Sequence, residues 1–464
     1  MFFTGEVRLM HGEAFGGALR SVEGKLWCED CSTIAIASHF GTPLYVMSEA
    51  QLRANCRRLR AAFTSHWPAG EVQLLASLKA NVVGAVRRIL NQEGTGCDVF
   101  GSHELEAALR SGVPAEQISV NGSAKDAAVI DAGLRAGAYL TLDSERELDL
   151  AIAAAERLAK RARVRLRLRP DYERLVQASD FLPDMTIRDA AQLYKPGIEP
   201  SAAIGIARRA LAHRGVELTG FMTHLGRHSA DPRVWADMAR DFGEVVAQLC
   251  RALSPWRPRE LDIGGGLPSA HDPTSPNRAP ARDIAAYAEA IGPGLGAALT
   301  GGGVDPRGIV LQIEPGRSLF ADAGLHLSRV RHVKRQARPV SRTWVELDTT
   351  EMFLPDLVWE RAHFRPVFAS RVDAEPIQQV EIVGISCGFD ILARDVPAPA
   401  VEAGDIVAFL DTGAYQDAAA SNFNLLARPG TVLIDGSLAR LVKRAETLDE
   451  VLARDQPLAQ GVRL

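Results

Sequence analysis

Residues 74–81 are Leu-Leu-Ala-Ser-Leu-Lys-Ala-Asn, a run of apolar and small residues that ends in a lysine and an asparagine. Apolar residues then recur at Val83, Val86 and Leu90, the spacing of a helix that buries one face. This order predicts a buried strand followed by a helix, with Lys79 at the carboxyl end of the strand. A lysine desolvated at such a place has a lowered pKa and can act as a nucleophile or form a Schiff base. The alternative is a surface lysine that caps the strand.

The same strand-then-helix order repeats over much of the chain. From about residue 35 to 325, short apolar or β-branched runs alternate with helical stretches rich in alanine, leucine and arginine. This alternation predicts parallel strands joined by helical crossovers, and eight or so units favour a (β/α)8 barrel over an open sheet. The predicted strands are 44–46, 73–78, 96–99, 118–120, 139–142, 164–168, 218–223, 260–263 and 309–313.

Beyond about residue 325 the pattern changes to strands with turns between them. The predicted strands there are 327–333, 343–347, 379–383, 406–410 and 431–434. The first 35 residues also have the pattern of short strands. We therefore predict a barrel over residues 36–325 and a second, mostly β domain formed by residues 1–35 and 326–464.

The composition argues against several classes of protein. The chain has 464 residues and a net charge of −4, so no basic surface indicates a nucleic-acid partner. No apolar run is long enough to cross a membrane, and the first residues lack the basic-then-apolar order of a signal peptide, so we expect a cytoplasmic protein. The six cysteines are too irregular for a disulfide framework. Cys28 and Cys31 have CxxC spacing, but no second pair completes a zinc site, so we expect no metal.

In a (β/α)8 barrel the carboxyl ends of the strands form one rim, where the chemistry takes place. Gly264, Gly265 and Gly266 follow a predicted strand, so their N–H groups either cradle a phosphate or form only a tight turn. Glu314 ends another predicted strand, three residues before Arg317. These two form either a structural ion pair or a site in which the glutamate meets a cationic ring nitrogen and the arginine holds an anion.

Three further side chains have two interpretations each. His224 ends a predicted strand and is either structural or stacked on an aromatic cofactor. Cys387 is either a buried filler or, because it precedes a turn near Asp390, a proton donor. Tyr415 is either a core tyrosine with a satisfied hydroxyl or a phenol available to a ligand.

These motifs, in this order and spacing, resemble the fold-type III pyridoxal-phosphate decarboxylases, the family of diaminopimelate and ornithine decarboxylases. The resemblance runs from about residue 40 to residue 424, and the chain looks like a divergent member. It implies an α/β fold, namely an alanine-racemase-like (β/α)8 barrel with a mostly β C-terminal domain that completes the active site. It also implies pyridoxal 5'-phosphate as cofactor, an amino acid or amino-acid conjugate as substrate, and a homodimer with shared active sites.

The resemblance assigns a role to each motif. Lys79 would carry the cofactor as a Schiff base, His224 would stack on the ring, and Glu314 would face the pyridine nitrogen. Decarboxylation leaves a carbanion that the ring must absorb, and a carboxylate that keeps the ring nitrogen protonated strengthens this sink. Racemases of this fold carry an arginine there, so Glu314 favours decarboxylation. The remaining assignments are Asp98 near the lysine, Gly264, Gly265, Gly266, Arg317 and Tyr415 at the phosphate, and Arg167 and Asp390 at the substrate. Cys387 and Asp390 would reach the site from the partner subunit, with Cys387 as proton donor.

The chain departs from the family pattern in three places. After the histidine motif, Gly226 is followed by Arg227-His228, where the family often has Ser-Gln. The cysteine motif is one residue shorter than the usual Cys-x-x-x-Asp, so one alignment puts Cys387 at the donor position and another puts Ser386 there; we prefer Cys387. Residues 348–355 lack the glycine and the arginine that diaminopimelate enzymes carry, which argues for a specialised relative.

Two alternatives to a decarboxylase remain at this stage. One is an amino-acid racemase or epimerase on the same barrel. The other is a non-catalytic carrier of the cofactor, against which Lys79 and Glu314 together argue, because a carrier needs no electron sink.

Overall fold

The structure is a computed structural model that describes Phe15, residues 17–269, His271 and residues 283–456. Its strands, in chain order, are β1 (Leu19–Val22), β2 (Lys25–Cys28), β3 (Cys31–Ser32), β4 (Leu44–Ser48), β5 (Val72–Ser77), β6 (Gly96–Val99), β7 (Ile118–Val120), β8 (Tyr139–Leu142), β9 (Ala162–Arg167), β10 (Val216–Met222), β11 (Glu260–Asp262), β12 (Val310–Ile313), β13 (Gly324–Gln336), β14 (Arg342–Leu347), β15 (Pro366–Phe368), β16 (Gln378–Val383), β17 (Ile391–Ala398), β18 (Ile406–Leu410), β19 (Gly430–Asp435) and β20 (Leu438–Lys443).

The helices alternate with these strands in the first part of the chain and become short after it. They are α1 (Thr33–Phe40), α2 (Glu49–His66), α3 (Gly84–Gln92), α4 (Ser102–Arg110), α5 (Ala127–Ala136), α6 (Glu145–Leu158), α7 (Ile187–Leu193), α8 (Pro200–Ala212), α9 (Pro232–Ala252), α10 (Ile284–Gly301), α11 (Arg317–Phe320), α12 (Asp356–Trp359), α13 (Gln416–Ala419) and α14 (Leu448–Leu452). Short 3₁₀ helices lie at Leu78–Ala80, Ala115–Gln117, Ala321–Ala323 and Phe423–Leu425.

The chain folds as two compact units. The barrel unit comprises Gln51–Asp322, and the sheet unit comprises the described residues up to Ala50 and from Ala323 onward. Among the described residues, no helix is both long and apolar enough to cross a membrane.

In the barrel unit, the eight parallel strands β5 to β12 close on one another in chain order, with β12 paired to β5. Such strands are buried on both faces, because the barrel interior covers one face and the helices cover the other. The helices bury a single stripe: α6 begins at its N-cap Ser144, which accepts a hydrogen bond from the Glu147 N–H, and turns Leu148, Ala151 and Ala155 inward. The predicted (β/α)8 barrel is thus confirmed.

The sheet unit is mostly β, also as predicted. Its main sheet has the order β17-β16-β14-β13-β4-β19-β20, with β18 and β15 added beside β13, and β1 to β3 form a separate small sheet. The central strand β13 is 13 residues long and pairs with β4, β14 and β18. The stretch 44–46, placed with the barrel strands from sequence, belongs to β4, which lies between β13 and β19. It looked like a barrel strand because both kinds of strand are wholly buried.

A buried ion pair lies beside the barrel strands. The Lys125 Nζ is 2.8 Å from the Glu147 Oε2, and the two side chains are 1% and 2% exposed. The same glutamate also accepts hydrogen bonds from the backbone N–H groups of Lys125 and Asp143, so it ties the loops after β7 and β8 together. Burial lowers the pKa of Lys125, and the charge of Glu147 opposes this shift.

We expect Lys125→Met to lower the free energy of unfolding by about 3–5 kcal/mol, because Glu147 would be left as a buried, unpaired carboxylate. The matched control is Arg110→Met. Arg110 pairs with Glu106 at the surface, where the side chains are 78% and 56% exposed, and such pairs contribute about 0–1 kcal/mol. Urea denaturation measures both losses, and equal losses would contradict the prediction.

Candidate active site

The carboxyl ends of the barrel strands carry most of the side chains singled out from sequence. Lys79 lies in the turn after β5, Asp98 near the end of β6, and Glu314 directly after β12. His224 and Gly264 follow β10 and β11 by two residues. Because all eight strands are parallel, these residues share one rim of the barrel.

Lys79 lies within reach of a buried carboxylate. Its Nζ is 3.4 Å from the Asp98 Oδ2, which also accepts a 2.7 Å hydrogen bond from the Ser77 hydroxyl. Burial raises the pKa of Asp98, but the charge of Lys79 and the hydrogen bonds from Ser77 and Asn121 outweigh it and hold this pKa below its ordinary value. Asp98 is therefore an ionised anchor for the lysine.

One expectation about Lys79 is wrong. Its position at the strand end is as predicted, but its side chain is 55% exposed, so burial does not desolvate the ammonium. The apolar run before it led to this error: Leu74 to Ser77 are buried, and so are Leu78 and Ala80 of the 3₁₀ helix Leu78–Ala80, but the Lys79 side chain between them is exposed.

Asn121, at the end of β7, joins two carboxylates across the barrel. Its Nδ2 donates to the Asp98 Oδ1 at 2.7 Å and also to the Glu314 Oε1. Burial, followed by the charges of Asp262 and Asp98, raises the pKa of Glu314 well above its ordinary value, while Arg165 and Lys79 oppose this shift. Glu314 is thus a rim carboxylate whose protonation depends on the charges of its neighbours.

The three glycines form a tight passage between neighbouring loops. Gly264 and Gly266 have φ angles of +70° and +97°, a region that favours glycine. A Cβ added at Gly265 would lie 2.2 Å from the carbonyl oxygen of Glu314, and one at Gly264 would lie 2.4 Å from the His224 Nδ1. No side chain can therefore replace these glycines without moving the loops.

The histidine is fixed by this glycine loop. The Gly265 N–H donates to the His224 Nδ1 at 3.1 Å, so this nitrogen is the acceptor and the ring proton lies on Nε2. Burial, with the charges of Arg167 and Lys79, lowers the pKa of His224 to about 3. The imidazole is neutral at physiological pH, as a ring that stacks on a cofactor should be.

Two arginines complete the barrel rim. Arg317 is 3% exposed and begins α11, directly after the Glu314-Pro315-Gly316 turn. Arg167, the last residue of β9, is 8% exposed, and its guanidinium makes no hydrogen bond or ion pair with any described residue. A buried guanidinium that makes no hydrogen bond or ion pair with a described residue can receive an anionic ligand, although its charge also acts on the carboxyl of Asp143.

Cys387, Asp390 and Tyr415 belong to the sheet unit. Cys387 is exposed in the turn after β16, where its Sγ accepts a 3.3 Å hydrogen bond from the Asn424 Nδ2. Asp390 is 1% exposed and accepts from the Thr350 hydroxyl and from the Glu351 and Ser386 N–H groups, so its carboxylate holds the turn together. Tyr415 is half-buried, with a φ of +70°, at the start of α13.

Sequence reasoning missed Arg165 and the side chains around it. Arg165 lies in β9 and is 0% exposed, with its guanidinium 2.8 Å from the Asp262 Oδ2. The signal was available: residues 163–167 alternate arginine with valine and leucine, and successive side chains of a strand point to opposite faces. In a closed barrel one of those faces is the interior.

The barrel residues fit pyridoxal phosphate. The three glycines place no side chain of their own over their backbone N–H groups, as in phosphate-binding loops. Arg317 follows Glu314 by three residues and provides a cation. Glu314 provides a carboxylate for a ring nitrogen, and Lys79 provides an amine on the same rim. Among the described residues, no three His, Cys, Asp or Glu side chains are placed to hold a metal ion.

Comparisons with known proteins agree with this geometry. The family model "Pyridoxal-dependent decarboxylase, pyridoxal binding domain" matches residues 49–321. The diaminopimelate decarboxylase of Methanocaldococcus jannaschii is 29% identical over 444 residues, covering 93% of this chain and 95% of that protein. The diaminopimelate decarboxylase of Synechocystis sp. is 28% identical over 453 residues, covering 94% and 92%.

Solved structures show the same similarity. A crystal structure of the diaminopimelate decarboxylase of M. jannaschii has a TM-score of 0.85 at 27% identity, covering 95% of this chain and 98% of that one. The lysine/ornithine decarboxylase of Vibrio vulnificus, complexed with putrescine, has a TM-score of 0.70 at 22% identity, covering 87% and 97%, and shares the fold.

We expect Gly265→Ala to weaken pyridoxal-phosphate binding by about tenfold or more, because the added Cβ displaces the loop and its N–H groups. The control is Gly301→Ala, since Gly301 belongs to the other Gly-Gly-Gly run and an added Cβ meets nothing within 4 Å there. Absorbance titration of the cofactor-free variants measures both affinities. An unchanged affinity in Gly265→Ala would argue against a phosphate site at this loop.

Proposed function

The chain belongs to the pyridoxal-dependent decarboxylase family, and from that premise we propose that Lys79 holds the cofactor and Glu314 holds a proton at its ring nitrogen. The protein is a pyridoxal-phosphate-dependent amino-acid decarboxylase, a carboxy-lyase, and the racemase alternative is not favoured. The observation that carries the assignment of roles is the buried carboxylate of Glu314 on the same barrel rim as Lys79.

When bound, the cofactor supplies an electron sink for the charge left when the substrate carboxylate departs as carbon dioxide. The residues of the barrel prepare for that charge. Glu314 would pair with a positive ring nitrogen, Asp98 holds Lys79 in place, and the neutral His224 would cover the ring face without adding charge. Gly264, Gly265, Gly266, Arg317 and Tyr415 are proposed to hold the phosphate.

Arg167 is the proposed contact for an anionic group of the substrate. Its guanidinium is buried and makes no hydrogen bond or ion pair with a described residue, so a carboxylate that binds there gains a charge-assisted hydrogen bond at little additional desolvation cost to the protein.

The other end of the substrate is proposed to differ from diaminopimelate. The sheet-unit loop 348–355 lacks the arginine of the diaminopimelate enzymes and carries Glu351, whose pKa is raised by burial and by the charge of Asp390. Without the arginine, and with a carboxylate in its vicinity, this loop disfavours a distal amino-acid group. We therefore propose an amino acid or amino-acid conjugate without one.

Cys387, rather than Ser386, is the proposed proton donor. The Cys387 side chain is exposed in the turn. The Ser386 hydroxyl faces back into the same turn, where it accepts a 3.4 Å hydrogen bond from the Gly388 N–H. The Ser386 N–H donates a hydrogen bond to Asp390. Only the cysteine presents its polar atom away from the turn.

A homodimer with shared sites, located in the cytoplasm, is also part of the proposal. The Cys387 turn is surrounded by exposed apolar side chains: Ile385, Phe389, Phe423 and Leu425 are 37%, 94%, 46% and 60% exposed. Apolar side chains clustered in this way indicate a surface that another protein covers. All six cysteines are free thiols, which suits a reducing compartment.

We expect Glu314→Gln to lower the rate of carbon dioxide release by roughly 100-fold while the cofactor stays bound, because an amide cannot hold the ring nitrogen protonated as charge reaches it. Borohydride reduction and peptide mapping should find the cofactor on Lys79 in both proteins. The control is Glu244→Gln, which changes a surface carboxylate paired with Arg174. Normal turnover of Glu314→Gln with bound cofactor would sink the proposed role.

Mixing inactive Lys79→Ala and Cys387→Ala proteins should restore about a quarter of wild-type activity, since half of the dimers are hybrids with one intact site of two. Mixing Lys79→Ala with Glu314→Gln is the matched control, because both changes lie in the barrel unit and no hybrid site is intact. No recovery in the first mixture, after subunit exchange is demonstrated by differently tagged chains, would contradict shared sites.

A further inference from the structure

The interior of the barrel contains a charged side chain that the proposed chemistry does not use. Arg165 is fully buried in β9 and contacts side chains on four other strands. Its guanidinium is 2.8 Å from the Asp262 Oδ2 on β11 and donates to the Thr141 hydroxyl on β8 at 2.7 Å. It also donates to Ser119 on β7 and Gln312 on β12.

A guanidinium at this place needs a physical reason. Barrel interiors are ordinarily packed with valine, isoleucine and leucine, and replacing a buried ion pair by apolar residues is often neutral or stabilising. As a purely structural element, Arg165 would therefore add little or nothing to the free energy of unfolding. Its second acidic neighbour points to another role, because the Arg165 Nη2 is 3.7 Å from the Glu314 Oε1.

The guanidinium thus lies between two buried carboxylates, Asp262 and Glu314, which are 0% and 6% exposed. Two buried carboxylates that share a site repel each other when both are charged, and a cation between them offsets this repulsion. Asp262 is itself committed to the glycine loop, since its Oδ1 accepts the Gly264 N–H at 2.8 Å.

We propose that Arg165 is a positioning residue that offsets the repulsion between Asp262 and Glu314, so that Glu314 can face a protonated ring nitrogen while Asp262 supports the glycine loop. The inference rests on the proposed function, in which Glu314 meets the cofactor ring. It adds that the strength of the electron sink is set from inside the barrel, by a residue that does not touch the cofactor.

The direction of each effect follows from the groups that surround the pair. Burial, Asp262 and Asp98 raise the pKa of Glu314, whereas Arg165 and Lys79 lower it. Glu260, two residues before Asp262 on β11, also acts on the charge of Arg165. His224 stays neutral above a pKa of about 3 and does not titrate in the same range.

Two substitutions test the inference because they should move the pH profile of kcat in opposite directions. Arg165→Met removes the cation that lowers the pKa of Glu314, so Glu314 keeps its proton to a higher pH; the acid limb should move up by about one unit or more. Asp262→Asn keeps an oxygen for the Gly264 N–H and removes the competing carboxylate, so the acid limb should move down. A merely structural role would lower activity in both without opposite shifts.

The double variant Arg165→Met/Asp262→Asn removes one charge of each sign and should restore the profile toward that of the wild type. Infrared spectra of the holoenzyme provide a second readout: Arg165→Met should show a protonated carboxyl band that the double variant lacks. If Arg165→Met does not fold, the shift of Asp262→Asn and the tolerance of Arg165→Lys, which retains the charge, decide the matter.

Unchanged profiles in both single variants, or a double variant no better than Arg165→Met, would overturn the inference. The proposed function fails separately, through normal turnover of Glu314→Gln or through cofactor on a residue other than Lys79. A third outcome is possible: Glu314→Gln is impaired, but the Arg165 and Asp262 variants keep the wild-type pH profile. That result would support the proposed function and show that Arg165 has no part in it.

Discussion

Charge held away from water is the constraint on which the barrel unit depends. Asp98, Asp262 and Glu314 are all nearly buried, and the free energy of leaving any of them ionised and unpaired is several kcal/mol. The fold meets this constraint with contacts that cross the barrel: Asn121 connects Asp98 to Glu314, and Arg165 lies between Asp262 and Glu314. Closure of the eight strands is what brings these side chains from distant parts of the chain within reach.

The sequence was most informative where chemistry and local pattern coincide. The barrel, the strand-end positions of Lys79, Glu314 and His224, and the glycine loop all followed from apolar runs that end in a polar or glycine residue. Three features did not follow. The exposure of Lys79 depends on how the 3₁₀ turn after β5 aims the side chain, and a one-dimensional pattern of burial does not contain that direction.

The contacts of Arg165 could not be predicted from sequence for a different reason. Its alternation with Val164 and Leu166 predicts a side chain that faces away from the apolar helices, but not the partners it meets. Those partners come from β7, β8, β11 and β12, and only the closed pairing of the strands sets the distances between them. The assignment of 44–46 failed for a related reason: strand pairing, not residue type, decides whether a buried strand belongs to the barrel or to the sheet unit.

The exposed turn at Cys387 has a consequence for how long the protein keeps its activity. Four of the six cysteines are buried and Cys31 is half-buried, so Cys387 is the thiol that solvent reaches most readily. Oxidants attack accessible thiols first and convert them to sulfenic or sulfinic acids, which cannot return a proton as a thiol does. Ageing in air would therefore spare the fold and impair the proton transfer that is proposed for this thiol. A second subunit that covers Phe389 and its neighbours would also shield this thiol. Association would then slow the oxidation of Cys387.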